Sequence, residues 1–273
     1  MIKISHSIFA LPFAFTGAVL AASGIPSFHQ ILWIAIAMIG ARSGAMGLNR
    51  IIDRNIDKAN PRTQNREIPT GKIKVFDAAL FTVISFALMV FSAYQLNTLC
   101  LWLSPLAIAV LFIYSYTKRF TWLSHFFLGL AISGAPLGAW IAVRGTFDFE
   151  ILPLCIGVVF WLAGFDILYA LQDIDFDKRH GLHSIPKRFG IDKSLLLARI
   201  FHSITVFMLV LTGMFFGLGI SFWIGIILVV GMLVYEHSLV KPTDLSKLDM
   251  AFFNMNGYIS ITVFVFTFIS VML

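Results

Sequence analysis

Asn49, Asp53 and Asp57 follow one another at four-residue intervals in Asn49-Arg-Ile-Ile-Asp53-Arg-Asn-Ile-Asp57. Tyr169, Asp173 and Asp177 do the same in Tyr169-Ala-Leu-Gln-Asp173-Ile-Asp-Phe-Asp177. Side chains four apart share a helix face, so each ladder stacks its oxygens over about 12 Å at 1.5 Å per residue. Magnesium suits such a set, because it takes one or two carboxylates together with waters and phosphate oxygens. Asp175 falls off that face and is expected at solvent or in a loop. Arg62 and Arg66, one turn apart beyond the first ladder, can grip phosphate oxygens bidentately. Lys118, just after Tyr114-Ser-Tyr-Thr, can reach the same phosphates, whereas Arg119 reads as a surface anchor. The chemistry suggested is a magnesium-bound diphosphate. Acids and bases at a helix end can also form only a solvated, salt-bridged cap, but two ladders in equivalent places argue against that.

The elements that must carry these groups are membrane helices. Of 273 residues, 59% are hydrophobic and 12% charged, with a mean hydropathy of +0.88. Soluble domains carry about 25% charged residues. Runs of about 20 apolar residues, the length that crosses a bilayer, are expected near 5–23, 31–50, 75–95, 99–117, 122–143, 150–172, 195–217, 219–237 and 251–272. The reading is an all-α polytopic membrane protein, nine transmembrane helices around a central cavity, in a single domain spanning 1–273. The first span follows Lys3 and ends in Ala-Ala-Ser-Gly, yet its length, Pro12 and its aromatic residues mark an uncleaved helix and not a signal peptide.

A net charge of +6 could suggest nucleic acid, but position excludes it. Seven of the twenty Lys and Arg lie between Arg50 and Lys74. Lys118 and Arg119 follow the fourth span, Lys178, Arg179, Lys187, Arg188 and Lys193 the sixth, and Lys241 and Lys247 the eighth. The odd-numbered connections hold only Arg144. This asymmetry is the positive-inside pattern. It predicts a cytoplasmic (inner) membrane protein with its N-terminus and basic loops in the cytoplasm and its C-terminus outside.

The polar connections after the second and sixth spans are expected to begin at Asn60-Pro61 and His180-Gly181. They echo each other, leading to Arg66-Glu-Ile-Pro-Thr-Gly71 and Ser184-Ile-Pro-Lys-Arg-Phe-Gly190, with Asp53 and Asp173 120 residues apart. Two charges lie deeper. Arg42 is two turns inside the second span and Asp166 two turns inside the sixth. Intramembrane ions usually face a cavity, so Arg42 can receive an anionic headgroup and Asp166 can orient a polar group or accept a proton; the alternative is a buried Arg42–Asp166 pair. Arg199 and Glu236, near span ends, are expected to snorkel to the surface. Cys100 and Cys155 fall within apolar spans and read as packing residues. The 28 Phe residues could line a lipid-chain tunnel or shelter a cation, but their number names no site.

The whole chain resembles the UbiA superfamily of intramembrane prenyltransferases. The likeness rests on nine spans with an NxxxDxxxD motif after the second, here Asn49, Asp53 and Asp57, and a YxxxDxxxD motif after the sixth, here Tyr169, Asp173 and Asp177. The resemblance implies that Asn49, Asp53, Asp57, Asp173 and Asp177 bind magnesium and a polyprenyl diphosphate. It also implies that Arg62, Arg66 and Lys118 contact the diphosphate and that Arg42 lies near an aromatic acid acceptor. Tyr114-Ser-Tyr-Thr-Lys-Arg-Phe-Thr-Trp-Leu-Ser-His125 and Gly164-Phe-Asp-Ile-Leu-Tyr-Ala-Leu-Gln-Asp173 look most like the 4-hydroxybenzoate polyprenyltransferase-like branch, especially its members acting on a dihydroxynaphthoate on the futalosine route to menaquinone. Arg50 stands where an Asp commonly follows the motif Asn, off the ladder face. The first helix has only Lys3 and His6 where many members carry an Arg.

The expected reaction is electrophilic aromatic prenylation with Mg2+ in the bilayer, the ring proton passing to Asp166 or to the diphosphate. Tyr169, one turn deeper than Asp173, belongs to the same group of reacting residues. Other readings are a transporter with helix-end acids, a phosphatidyltransferase, or a family member with a haem or chlorophyll-type acceptor. A transporter would hold ionisable groups deep in several helices, and the Asp-Gly start followed by Ala-Arg of the phosphatidyltransferases is absent.

Overall fold

A computed structural model describes residues 10–241, 245, 248 and 255–273. Lys3, His6, Lys247 and the expected starts of the first and ninth spans lie outside these residues. The helices are α1 (Ala10–Ala22), α2 (Phe28–Ile52), α3 (Arg54–Ala59), α4 (Val75–Leu96), α5 (Thr98–Thr117), α6 (Ser124–Arg144), α7 (Leu152–Ala170), α8 (Ile174–Arg179), α9 (Ile185–Phe215), α10 (Ile220–Leu239) and α11 (Asn256–Met272). The protein is all-helical and built to span a membrane. Among the described residues seven helical stretches are long and apolar enough to cross, and α1 and α11 are shorter apolar helices of 13 and 17 residues. Among the described residues, seven of the nine expected spans are met at full crossing length, and α1 and α11 lie where the first and ninth are expected.

α7 is the axis of the bundle. It is apolar over most of its surface, as a helix largely enclosed by others must be, and it packs against α6 and α9. Trp161, Leu162 and Phe165 of α7 join Phe13, Trp140, Leu209 and Phe222 in one core. From Trp161 to Asp173 the positions that escape burial include Asp166, Tyr169, Ala170 and Asp173. Their spacing of three and four residues puts them on one stripe. The central helix therefore presents one polar edge, and the second ladder continues it.

α2 packs along α4 through a seam of Gly40, Gly44 and Gly47. A Cβ on Gly40 would lie 2.7 Å from the Ser85 carbonyl oxygen, and one on Gly44 would lie 2.6 Å from the Phe86 ring. Small residues allow such close backbone approach between membrane helices, and the seam ends two residues before Asn49.

Both ladders leave their helices in an unexpected way. α2 breaks at Asp53 (φ −88°, ψ 2°) and restarts as α3. The second ladder passes from α7 through a single 3-10 turn, Leu171–Asp173, into α8. The four-residue register survives the first break, because Asp53 N–H still donates to the Asn49 carbonyl (2.9 Å) and Asp57 N–H to the Asp53 carbonyl (2.7 Å). The stops occur where expected, at Asn60 and at His180, with Gly181 in the left-handed region (φ 69°). The stretch expected to be loop up to residue 194 is instead helical from Ile185. Ser184 caps it, and Gly190 kinks it at φ 79°, a conformation open to glycine.

Candidate active site

The two ladders face one cavity of about 200 Å³ at the end of the bundle where α2, α5 and α7 terminate. Asn49, Asp53, Asp57, Arg62, Arg66, Lys118, Asp166, Tyr169, Asp173 and Asp177 all line it. Arg42 does not. Its Nε is buried without a hydrogen-bond partner among the described residues. The alternative of a buried Arg42–Asp166 pair is not met, because Asp166 bonds His125 instead, Oδ2 to Nδ1 at 2.7 Å.

Each carboxylate of the ladders has a distinct set of partners. Asp53, only 1% exposed, accepts from Lys118 Nζ at 2.5 Å and from Arg119 Nη2 at 2.9 Å, while Asn49 Nδ2 donates to it at 3.1 Å. Arg119 is thus a site residue and not a surface anchor, and its second bond, to the Ile52 carbonyl (3.0 Å), satisfies the end of α2. Asp57 accepts from Arg66 Nη1 at 2.6 Å. Arg50, expected off the ladder face, approaches Asp57 Oδ2 at 3.9 Å. That oxygen is buried and has no hydrogen-bond partner among the described residues.

Across the cavity, Arg62 binds Asp173 with two nitrogens, Nε to Oδ1 at 3.1 Å and Nη2 to Oδ2 at 2.5 Å. Its Nη1 donates to the Tyr169 hydroxyl at 2.7 Å. Asn60 Nδ2 adds a bond to Asp173 Oδ1 at 3.1 Å. The segment after the first ladder is therefore pinned to the second. Burial alone would pull the Arg62 guanidinium down, but the hydrogen bond and charge of Asp173 outweigh it and hold it above its ordinary value. Asp177 accepts from Ser184 Oγ at 2.7 Å. Asp175 is exposed, as its position off the ladder face predicts.

Sequence reasoning passed over Arg119, Asn60, His125 and Ser184. Ser184 with a proline two residues on is a helix-start signal and could have exposed its capping role. His125 and Asn60 are single polar residues with no pattern around them. Glu236, expected to snorkel, is fully buried, whereas Arg199 is exposed. The cysteines are free, Cys155 buried and Cys100 partly so, in keeping with a packing role.

The donor set can be tested against a hard divalent cation. Every ladder side chain other than Tyr169 offers a carboxylate or amide oxygen, which is what magnesium takes. The orphaned Asp57 Oδ2 is a buried acceptor that a cation would satisfy. Among the described residues no three acidic, His or Cys side chains converge closely enough to hold a metal by themselves. The acids stand on facing walls with cations between, so the residues fit a cation that shares its coordination with waters and a bound anion.

Residues 10–258 match the UbiA prenyltransferase family. The 4-hydroxybenzoate octaprenyltransferase of Vibrio campbellii is 32% identical over 249 residues, covering 90% of this chain and 86% of the relative. That of Aliivibrio fischeri is 30% identical over 250 residues, covering 90% and 85%. The apo structure of a UbiA homologue from Aeropyrum pernix K1 aligns over 100% of both chains with a TM-score of 0.90 and 31% identity. A UbiA homologue from Archaeoglobus fulgidus bound to GPP and Mg2+ shares the fold at a TM-score of 0.75 and 20% identity over 98% of both chains. The chain belongs to the UbiA prenyltransferase family.

Proposed function

We propose that this enzyme transfers a polyprenyl group from polyprenyl diphosphate to the ring of an aromatic hydroxy acid, 4-hydroxybenzoate or 1,4-dihydroxy-6-naphthoate, with Mg2+, in the synthesis of ubiquinone or menaquinone. One observation carries the reading: two acid ladders and three basic residues that the sequence singles out, Arg62, Arg66 and Lys118, line a single cavity. The names of the 4-hydroxybenzoate octaprenyltransferase relatives support the acceptor class, and the GPP and Mg2+ bound by the Archaeoglobus homologue support the donor and the ion. Buried ion pairs are weak stabilisers compared with apolar packing, so such a dense cluster favours function over a mere helix cap.

Asn49, Asp53, Asp57, Asp173 and Asp177 would hold magnesium, which supplies positive charge to a leaving diphosphate. Arg62, Arg66 and Lys118 add charge that is already oriented in the cavity, where it costs little reorganisation as the C–O bond ionises. Arg42, which lies outside the cavity lining, can act on the acceptor carboxylate only through its charge. Tyr169, whose hydroxyl is held by Arg62, presents a ring beside the place where the allylic cation forms. Asp166 orients the acceptor hydroxyl and can take its proton. The Lys and Arg distribution supports a cytoplasmic-membrane protein with this cavity facing the cytoplasm.

Membranes containing the protein, supplied with magnesium and a polyprenyl diphosphate, test the reading when both acceptors are offered side by side. The expected result is a C-prenylated product of one acceptor, with diphosphate released. Chelating the metal should stop turnover and magnesium should restore it, and Asp53→Ala should be inactive while still inserting. Wild-type membranes that prenylate neither acid would overturn the proposal.

A further inference from the structure

His125 stands in the first turn of α6 and is 3% exposed. Its two ring nitrogens have different partners. Nε2 faces the Ile185 backbone N–H at 3.2 Å, and Nδ1 faces Asp166 Oδ2 at 2.7 Å. A backbone N–H can only donate, so Nε2 must be the bare nitrogen and Nδ1 must carry the hydrogen given to Asp166. The ring is therefore held as one tautomer by the bond at its far side.

The Ile185 N–H is not an arbitrary partner. It is the first helical N–H of α9, one of the donors that a helix start leaves without an internal acceptor. Ser184 Oγ takes the Lys187 N–H at 3.3 Å, Pro186 has none, and the Arg188 N–H reaches the Ser184 carbonyl at 3.1 Å. The α9 start is thus fully bonded, and it anchors two acids of the wall built by α7 and α8: Asp177 through Ser184, and Asp166 through His125. Asp166 itself lines the cavity, and its Oδ1 accepts no hydrogen bond among the described residues.

We propose that His125 is a positioning residue for prenyl transfer, holding Asp166 so that its Oδ1 meets the acceptor hydroxyl and takes up the proton that the reaction releases. This rests on the aromatic-acceptor reading above. In the step, the ring carbon beside the hydroxyl bonds to prenyl C1 as the C1–O bond breaks, and that electron pair leaves with the diphosphate. As the ring attacks, the hydroxyl proton passes to the Asp166 carboxylate. The proton on the newly bonded ring carbon then moves to the hydroxyl oxygen and restores the aromatic ring, so one proton in all is released. Because His125 reaches the acceptor only through Asp166, its loss should slow turnover without weakening capture of the prenyl diphosphate.

Two substitutions separate the halves of the imidazole. His125→Gln can place its amide oxygen near Nε2, keeping the Ile185 anchor and losing the bond to Asp166. His125→Asn can place its amide NH2 near Nδ1, keeping the bond to Asp166 and losing the anchor. We expect kcat to fall about tenfold or more in His125→Gln, below the roughly 10²–10⁴-fold of losing a general base outright. Its KM for polyprenyl diphosphate should stay within about twofold. His125→Asn should keep kcat within about threefold even if its thermal midpoint in detergent falls, by the order of one lost hydrogen bond. Equal kcat in the two variants, whether high or low, or the reverse order, would overturn the proposal. Both are measured with whichever acid the wild type prenylates. A wild type that prenylates neither removes the aromatic-acceptor reading and the role of Asp166 together, whereas an active wild type with an equally active His125→Gln removes the positioning role alone.

Discussion

Arg62 ties the two ladders together more directly than any acid does. Two of its nitrogens lie on the Asp173 carboxylate and the third on the Tyr169 hydroxyl. A planar guanidinium can fill three such directions at once, and an ammonium on a flexible stem cannot. Arg62→Lys keeps the charge and loses the fork, so it separates geometry from electrostatics. The expected outcome is a fall in kcat/KM of about tenfold or more, approaching the roughly 10²–10³ typical of losing one oriented donor at a developing negative charge. Initial rates over a range of polyprenyl diphosphate concentrations check it. A Lys variant with wild-type kcat/KM would show that charge alone suffices there. Arg119 illustrates how such a residue escapes a reading from sequence. One position past Lys118, it looks like another cation at a membrane surface, and only the turn after α5 brings both side chains onto Asp53.

At the scale of elements, the ladders were legible because oxygens that recur every fourth residue in an apolar chain stack on one helix face. The breaks in α2 at Asp53 and in the α7–α8 passage at Leu171–Asp173 were not legible. No Gly or Pro marks them, and backbone bonds across the first keep the register that an unbroken helix would have. The start of α9 carried a readable cap and proline, but its Gly190 kink hides the continuity of the helix behind a residue that usually ends one. The α2–α4 seam was also written in the sequence, as Gly40, Gly44 and Gly47, yet small residues are so common in membrane helices that spacing alone does not say which neighbour they meet. The seam predicts a consequence for the site. Gly40→Ala would set a Cβ 2.7 Å from the Ser85 carbonyl oxygen and 2.9 Å from the Met89 nitrogen, both backbone atoms that cannot swing aside. α2 must then shift off α4, at a cost of about 1–3 kcal/mol, and it carries Asn49 and Asp53 with it. A lower thermal midpoint in detergent with reduced turnover is expected. Gly134→Ala on α6, where the added Cβ meets nothing within 4 Å, should leave both unchanged and serves as the control.

At the scale of the molecule, the polar groups sort to one end of an apolar bundle, and this gives the fold a direction. α2, α5 and α7 run toward the cavity and end at it, while α6 starts there with His125 and leaves toward Arg144. The α6–α7 connection at 145–148 therefore lies at the opposite end from the ladders. Lys72, in the polar stretch beyond Arg66, and Thr146, in that far connection, are both exposed. If the positive-inside pattern sets the orientation, these two positions report opposite sides of the membrane. Cys100 and Cys155 lie in helices, the latter buried, so they can be replaced by Ala before single cysteines are introduced. A membrane-impermeant maleimide added to intact spheroplasts should label Thr146→Cys and spare Lys72→Cys, and inverted vesicles should reverse the result. Labelling of Lys72→Cys from outside would turn the cavity away from the cytoplasm and overturn the orientation. The test thus decides which side of the membrane the charged end of the bundle, with both ladders and their basic partners, is open to.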